Sequence, residues 1–149
     1  MLGSETDDIM STPNPYGLVF HHLGLAVKDP ELAVRFLTGC GYHIGPVVRD
    51  ELQNVNARLC TAGNQPTVEL LYPTETPGPL ERILKSQASL IYHVCYESSD
   101  REETLRRLEA DDHRIGVLSQ PQPAVLFGGR RVSFYIVAGF GMIELLEPA

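Results

Sequence analysis

The stretch HLGLAVKDPELAVRFLTGCGYHIG (22–45) decides the fold, because its pattern recurs as HVCYESSDREETLRRLEADDHRIG at 93–116. When the chain is shifted by 71 positions, His22 falls on His93. Each copy is too short to be stable alone, so the repeat predicts two half-modules that share one core.

The repeat extends to the end of each copy. PTVELLYP (66–73) matches GMIELLEP (141–148) at a shift of 75 positions, which places Glu69 on Glu144. Each copy therefore supplies one His and one Glu. Two imidazoles and two carboxylates are an inventory typical of a metal site.

Bulk composition excludes several classes of function. The 149 residues suit one domain, and a net charge of −7 argues against nucleic acid and anionic membranes as partners. Three cysteines, an odd number, do not indicate a disulfide framework. No apolar run is long enough to span a membrane, and no signal peptide is visible, so the sequence predicts a cytoplasmic protein.

Periodicity and turn signals give each copy the order β-α-β-β-β. We predict a flexible tail at 1–17, which is polar and acidic, followed by a single domain at 18–149. Within the domain, the modules cover about 18–73 and 90–149, and a turn-rich connector covers 74–89.

The opening strand places its histidines on different faces. Leu23 and Leu25 alternate with His22, so His22 is predicted to point away from the helix-covered face and into the space that the sheet encloses. His21 is predicted to share the face of Leu23 and Leu25 and to be structural.

Helix signals follow each opening strand. Asp29 and Pro30 predict the start of the first helix, and Ser99 with Glu102 resembles a capping box for the second. Residues 119–131 are punctuated by Pro and Gly and are predicted to form an irregular loop. The apolar residues of the first helix that are predicted to pack are Leu32, Val34, Phe36 and Leu37.

The repeated His and Glu predict one bound divalent ion. A single His on a strand is more often a hydrogen-bonded structural residue than a ligand. However, Glu69 and Glu144 each lie in an apolar strand, and burying two unpaired carboxylates is costly without a cation. The set His22, Glu69, His93 and Glu144 suits Co, Ni, Zn, Mn or Fe, and the sequence does not select among them.

Two arginines follow a Gly-Gly pair beside the irregular loop. Arg130 and Arg131 are either solvated at the end of a hairpin or anchor a phosphate or carboxylate of a substrate. The residues alone leave both interpretations open.

The chain resembles the vicinal oxygen chelate superfamily, which includes glyoxalases, bleomycin-resistance proteins and dioxygenases. Within it, the chain is most similar to methylmalonyl-CoA epimerase-like proteins over about residues 19–148. The matching segments are FHHLGLAVKD (20–29), VELLYP (68–73), IYHVCYE (91–97), FGGRRVSFY (127–135) and MIELLEP (142–148).

This resemblance implies an α+β fold in which two tandem βαβββ modules form a cup-shaped, incompletely closed mixed sheet with helices outside. It places the metal ligands at His22, Glu69, His93 and Glu144. It also implies a homodimer, and leaves open whether one chain or two supply each site.

The resemblance further implies an epimerase or isomerase that removes a proton α to a carbonyl through a metal-bound enolate. The implied substrate is a small molecule, such as an acyl-CoA or carrier-protein thioester. A Glu on the middle strand of the first module is a base in some members, but Ala57 stands there in this chain. Glu69 or Glu144 is therefore the predicted base. The substrate-binding residues are predicted to be Phe127, Gly128, Gly129, Arg130 and Arg131.

The sequence is also compatible with three alternatives: a glyoxalase I-like lyase, a non-haem iron dioxygenase and a non-catalytic small-molecule binding protein. The His, Glu, His, Glu set also resembles the glyoxalase I lyase. A non-haem iron dioxygenase uses two His and one carboxylate, so a fourth ligand argues against it. Members that only bind small molecules generally lack the metal ligands, whereas all four are present in this chain.

Overall fold

The computed structural model describes residues 14–149, which form one mixed sheet of nine strands with helices packed against it. The predicted α+β class is confirmed. In chain order the elements are β1 (Leu18–Val27), α1 (Pro30–Gly39), β2 (His43–Ile44), β3 (Val48–Asp50), β4 (Val55–Ala62), β5 (Gln65–Pro73), α2 (Pro79–Ile83), β6 (Ser89–Ser98), α3 (Arg101–Ala110), β7 (Ile115–Pro123), a 3₁₀ turn (Val125–Phe127), β8 (Arg131–Val137) and β9 (Gly141–Leu146).

The opening strands of the two halves lie side by side at the centre of the sheet. The strand order is β2-β4-β5-β1-β6-β9-β8-β7, and β3 pairs with β4 beside this path. β1 and β6 are antiparallel to each other. β1 runs parallel to β5, and β6 runs parallel to β9. Because the path ends at β2 and β7, the described sheet is not closed.

The first helix begins as the sequence predicts but packs with fewer residues. Asp29 caps it by accepting a hydrogen bond from the backbone N–H of Glu31 at 3.0 Å. Leu37 is buried and Val34 packs beside it, whereas Leu32 is 61% exposed and Phe36 is 72% exposed. The prediction that Leu32 and Phe36 pack is wrong, because the helical period places them on the flank turned away from the sheet.

The second long helix is capped one residue later than predicted. Asp100, not Ser99, is the cap, and its carboxylate accepts a hydrogen bond from the backbone N–H of Glu103 at 3.1 Å. Asp100 with Glu103 has the same spacing as Ser99 with Glu102, so the sequence pattern fits both registers.

Part of the predicted loop at 119–131 is strand. β7 continues through Pro121 to Pro123, with breaks in its register against β8. A proline cannot donate to a neighbouring strand, but β7 is the last strand of the sheet path, where one side needs no partner. The edge position therefore explains why the prolines are accommodated.

The end of the predicted tail contacts α3. Thr104 donates a hydrogen bond to the carbonyl of Tyr16 at 2.7 Å, and the Tyr16 hydroxyl donates to Asp111 at 2.6 Å. Residues 1–13 of the predicted tail lie outside the described residues. None of the helices within residues 14–149 has the length and hydropathy needed to cross a membrane.

Candidate metal centre

The four predicted ligands lie on four adjacent strands. His22 is on β1, Glu69 on β5, His93 on β6 and Glu144 on β9, in the part of the sheet ordered β5-β1-β6-β9. All four are buried, with His22 fully inaccessible and Glu69 the most exposed at 6%. The sheet therefore brings together residues that are up to 122 positions apart in the sequence.

The side chains converge on a common point. His22 Nε2 lies 3.2 Å from Glu69 Oε1 and 3.1 Å from Glu144 Oε1. His93 Nε2 lies 3.5 Å from Glu69 Oε1 and 3.2 Å from Glu144 Oε1. Ligand atoms that each lie about 2.0–2.2 Å from a shared ion are roughly 3–3.5 Å from their neighbours. The observed spacing fits that requirement.

Several of these atoms have no partner within the protein. Nδ1 and Nε2 of His93 and Oε1 of Glu144 lack a hydrogen-bond partner anywhere in residues 14–149. His93 Nε2 and Glu144 Oε1 lie 3.2 Å apart, but the angles between the two groups do not allow a hydrogen bond. Leaving buried polar atoms unpaired costs about 1–3 kcal/mol each. A divalent cation would satisfy the atoms that face the centre.

Gly24 makes room for one of the two imidazoles. In the β1–β6 pair Gly24 lies opposite His93, and a Cβ built at Gly24 would be 2.1 Å from Cε1 of His93. No side chain other than hydrogen fits there without moving the ring. The corresponding position in the second half is Cys95, which lies fully buried opposite His22.

Two β-bulges add residues to the site that the sequence did not predict. The β1–β6 register skips His21 between Phe20 and His22, and it skips Tyr92 between His93 and Ile91. A bulge turns the extra side chain toward that of its neighbour. The prediction that His21 shares the face of the neighbouring leucines is therefore wrong.

His21 and Tyr92 both contact a predicted ligand. Nδ1 of His21 is 2.7 Å from Nδ1 of His22, and burial lowers the pKa of His21. The Tyr92 ring lies edge-on to His93, with ring centroids 4.5 Å apart. The available sequence signal was that His21 and Tyr92 occupy equivalent positions of the repeat, each directly before a ligand.

The charges of the centre are set by competing effects. Burial by itself would lower the pKa of His93, but the side chains of Glu144 and Glu69 outweigh it and raise that pKa to about 9. The pKa of His22 is raised for the same reasons. Burial would raise the pKa of Glu144, but His22 and His93 lower it. Without an ion, these shifts favour protonated imidazoles beside ionised Glu144.

These shifts predict how the stability of metal-free protein depends on pH. The contribution of His93 is fully present below its ordinary pKa of 6.5 and is lost as the pH rises through about 9. The contribution of Glu144 is present above 4.5 and is lost as the pH falls. We expect the midpoint of thermal unfolding to be highest between these values and to decrease toward pH 9.

The test is thermal unfolding after treatment with a chelator, at about pH 6 and about pH 9. His93→Gln removes the titrating group and is expected to flatten the alkaline decrease. An unfolding midpoint of the unmodified protein that stays constant between these pH values would contradict the prediction.

A large cavity adjoins the centre on one side. Its volume is about 960 Å³, and Glu69, Ala57, Leu71, Tyr92 and Phe134 are among its lining residues. Glu144 is not part of its wall. Of the two carboxylates, Glu69 therefore faces the space that a substrate could occupy.

The predicted substrate-binding segment lies beside the centre, with different contacts along its length. Phe127 stacks on His22, with ring centroids 5.2 Å apart and planes inclined by 21°. Gly128 and Gly129 have φ angles of 67° and 85°, which glycine adopts readily. Arg130 donates to the Glu97 carboxylate at 3.0 Å and to the Glu147 carbonyl at 2.9 Å, whereas Arg131 is exposed.

The sequence matches the Glyoxalase/Bleomycin resistance protein/Dioxygenase superfamily over residues 21–134. The chain belongs to this superfamily. The match includes His22, Glu69 and His93, and it ends before Glu144. It confirms the predicted resemblance to the superfamily of glyoxalases, bleomycin-resistance proteins and dioxygenases. A comparison with proteins of curated function finds no match.

Solved structures with the same fold include several methylmalonyl-CoA epimerases. Methylmalonyl-CoA epimerase from Mycobacterium tuberculosis is 22% identical, with a TM-score of 0.70 over 89% of this chain and 88% of that one. The Streptomyces coelicolor methylmalonyl-CoA epimerase in complex with 2-nitronate-propionyl-CoA is 19% identical, with a TM-score of 0.67 over 87% and 96%. A hypothetical protein from Bacillus halodurans is 19% identical, with a TM-score of 0.73 over 89% and 95%. At these identities the likeness shows the fold.

Proposed function

We propose that this protein is a metal-dependent epimerase or isomerase that removes and returns a proton on the carbon next to a carbonyl. The observation that carries the proposal is the buried His and Glu cluster, which opens through Glu69 onto a cavity of about 960 Å³. Superfamily members usually bind a divalent metal. The unpartnered atoms of His93 and Glu144 and the space above Gly24 fit such an ion.

His22, Glu69, His93 and Glu144 would hold the ion, and the two carboxylates would offset its charge. A bound divalent ion would supply a Lewis acid for the negative charge that develops on a carbonyl oxygen. His22, His93 and Glu144 lie in the interior of the sheet and would act only as metal ligands. Glu69 belongs to the same cluster and also lines the cavity.

We assign the proton transfer to Glu69. Some members have a Glu that acts as the base at the position of Ala57. Here Ala57 lines the cavity with a methyl group, which cannot accept a proton. Glu69 is the buried carboxylate of the cluster that faces the cavity, so it is the group that reaches a substrate carbon. Glu144 contacts the same two histidines but does not line the cavity.

The proposed substrate is an acyl thioester of coenzyme A or a carrier protein. Two lines support this choice: the fold is shared with methylmalonyl-CoA epimerases, and one of those structures contains methylmalonyl-CoA. The cavity wall is mainly apolar, with Leu71, Phe134 and Ile136 among its residues. Such a wall suits an aliphatic acyl group. The homodimer, the identity of the metal and the role of residues 127–131 stay predictions.

The test measures hydrogen exchange at the α-carbon. Protein reconstituted with Co²⁺, Ni²⁺, Zn²⁺, Mn²⁺ or Fe²⁺ is expected to hold close to one ion per chain and to incorporate deuterium from D₂O into methylmalonyl-CoA or a related thioester. Glu69→Gln is expected to abolish the exchange even when the variant is saturated with metal. Glu144→Gln should regain exchange as the metal concentration is increased.

Other outcomes identify the alternatives. Isomerisation of the hemithioacetal of methylglyoxal and glutathione, without thioester exchange, would indicate a glyoxalase I-like activity. Oxygen consumption with Fe²⁺ and a catechol would indicate a dioxygenase. Absence of bound metal after reconstitution would overturn the metal centre itself.

A further inference from the structure

One predicted ligand is supported from behind by a chain of polar contacts. Nδ1 of His22, on the side of the ring away from the cluster, lies 2.7 Å from Nδ1 of His21. Nε2 of His21 lies 3.8 Å from Glu97 Oε1, and Glu97 in turn accepts a hydrogen bond from Arg130 at 3.0 Å. The bulge at His21 creates this arrangement, because it turns two successive side chains toward the same face.

The chemistry of metal binding fixes the direction of the hydrogen bond between the two histidines. If Nε2 of His22 binds an ion, its lone pair is used there and the ring proton must be on Nδ1. The Nδ1–H of His22 then donates to Nδ1 of His21, which accepts. The proton of His21 is consequently on its Nε2, on the side of the Glu97 carboxylate.

We propose that His21 is a positioning residue, which accepts the Nδ1–H of His22 and thereby holds Nε2 of His22 toward the ion. This inference rests on the proposed metal centre. Metal-binding histidines usually donate the second ring N–H to a fixed acceptor, and loss of that acceptor typically costs 10–100-fold in metal affinity. Here the acceptor is another imidazole, and the carboxylate of Glu97 lies 3.8 Å from the far side of its ring.

The two halves of the repeat differ at this point. Tyr92 occupies the position equivalent to His21, and Nδ1 of the adjacent His93 has no hydrogen-bond partner in residues 14–149. Of the two imidazoles, His22 is therefore the one that the protein orients through hydrogen bonds. His93 is oriented by the shape of the space above Gly24.

The test compares two substitutions of His21. His21→Phe keeps a ring of similar shape but removes the acceptor, and we expect it to weaken Co²⁺ or Zn²⁺ binding by 10–100-fold in competition with a chelator. His21→Asn carries an amide oxygen close to the position of Nδ1, and we expect its affinity to stay within a few-fold of the unmodified protein. His43→Phe, at an exposed strand position, is the matched control and should bind metal normally.

Nuclear magnetic resonance of the unmodified, Zn²⁺-loaded protein provides a second measurement that requires no substitution. Long-range ¹H–¹⁵N correlations are expected to show His22 protonated on Nδ1 and His21 protonated on Nε2. A His21 protonated on Nδ1, or equal affinities of the His21→Phe variant and the unmodified protein, would overturn the role of His21 alone. Failure of the unmodified protein to bind any of the five metals would overturn the metal centre and this role together.

Discussion

Glu144→Gln is expected to lower the affinity of the protein for a divalent ion by at least 100-fold while leaving it folded. Glu144 contacts both histidines, at 3.1 and 3.2 Å, and is 2% exposed, so no solvent molecule can easily replace it as a ligand. The amide has nearly the same shape but lacks the charge that offsets the ion. Loss of a residue that only hydrogen-bonds to a metal ligand typically lowers metal affinity 10–100-fold, and loss of a direct ligand lowers it further.

The measurement is metal content after reconstitution, together with affinity by chelator competition. Circular dichroism and the unfolding midpoint of the metal-free proteins report whether the fold is retained. Glu109→Gln, on the exposed surface of α3, changes the net charge identically and should bind metal normally. If Glu144→Gln binds one ion with unchanged affinity, the ion is held elsewhere.

Gly24→Ala is expected to disrupt the same centre through sterics alone. The added Cβ would lie 2.1 Å from Cε1, 2.3 Å from Nδ1 and 2.5 Å from Nε2 of His93. All three distances are far below van der Waals contact, so the imidazole must leave its position in the cluster. We expect loss of metal binding and a decrease in stability of about 1–3 kcal/mol, the usual cost of overpacking.

Gly39→Ala is the matched control for this substitution. A Cβ at Gly39 would meet nothing within 4 Å, and Gly39 is the last residue of α1. Replacing a helical glycine by alanine gains up to about 1 kcal/mol. Equal metal affinities of the Gly24→Ala and Gly39→Ala variants would contradict the proposed position of His93.

Local signals in the sequence were sufficient for most of the fold. Asp29 and Pro30 start α1 where predicted, and the second half has the predicted order β-α-β-β-β. The errors arose where position in the sheet matters. Edge placement lets β7 continue through its prolines, and the flank of α1 that carries Phe36 has no neighbour in the described sheet.

The repeat predicted which residues would meet but not how their surroundings are arranged. Equivalence of His22 with His93 and of Glu69 with Glu144 identified the cluster. The roles of His21 and Gly24 depend on the register between β1 and β6, which joins strands about 70 residues apart. A bulge shifts that register by one residue, and no local pattern in either strand encodes where the shift occurs.

The central β1–β6 pairing also determines how the two halves depend on each other. An ion held by β1, β5, β6 and β9 would be a cross-link between the halves, since each contributes one His and one Glu. Unfolding of either half would release the ion, so the free energy of metal binding would be lost whichever half unfolded first. The occupied protein would therefore unfold in a single cooperative step, although its sequence is a tandem duplication.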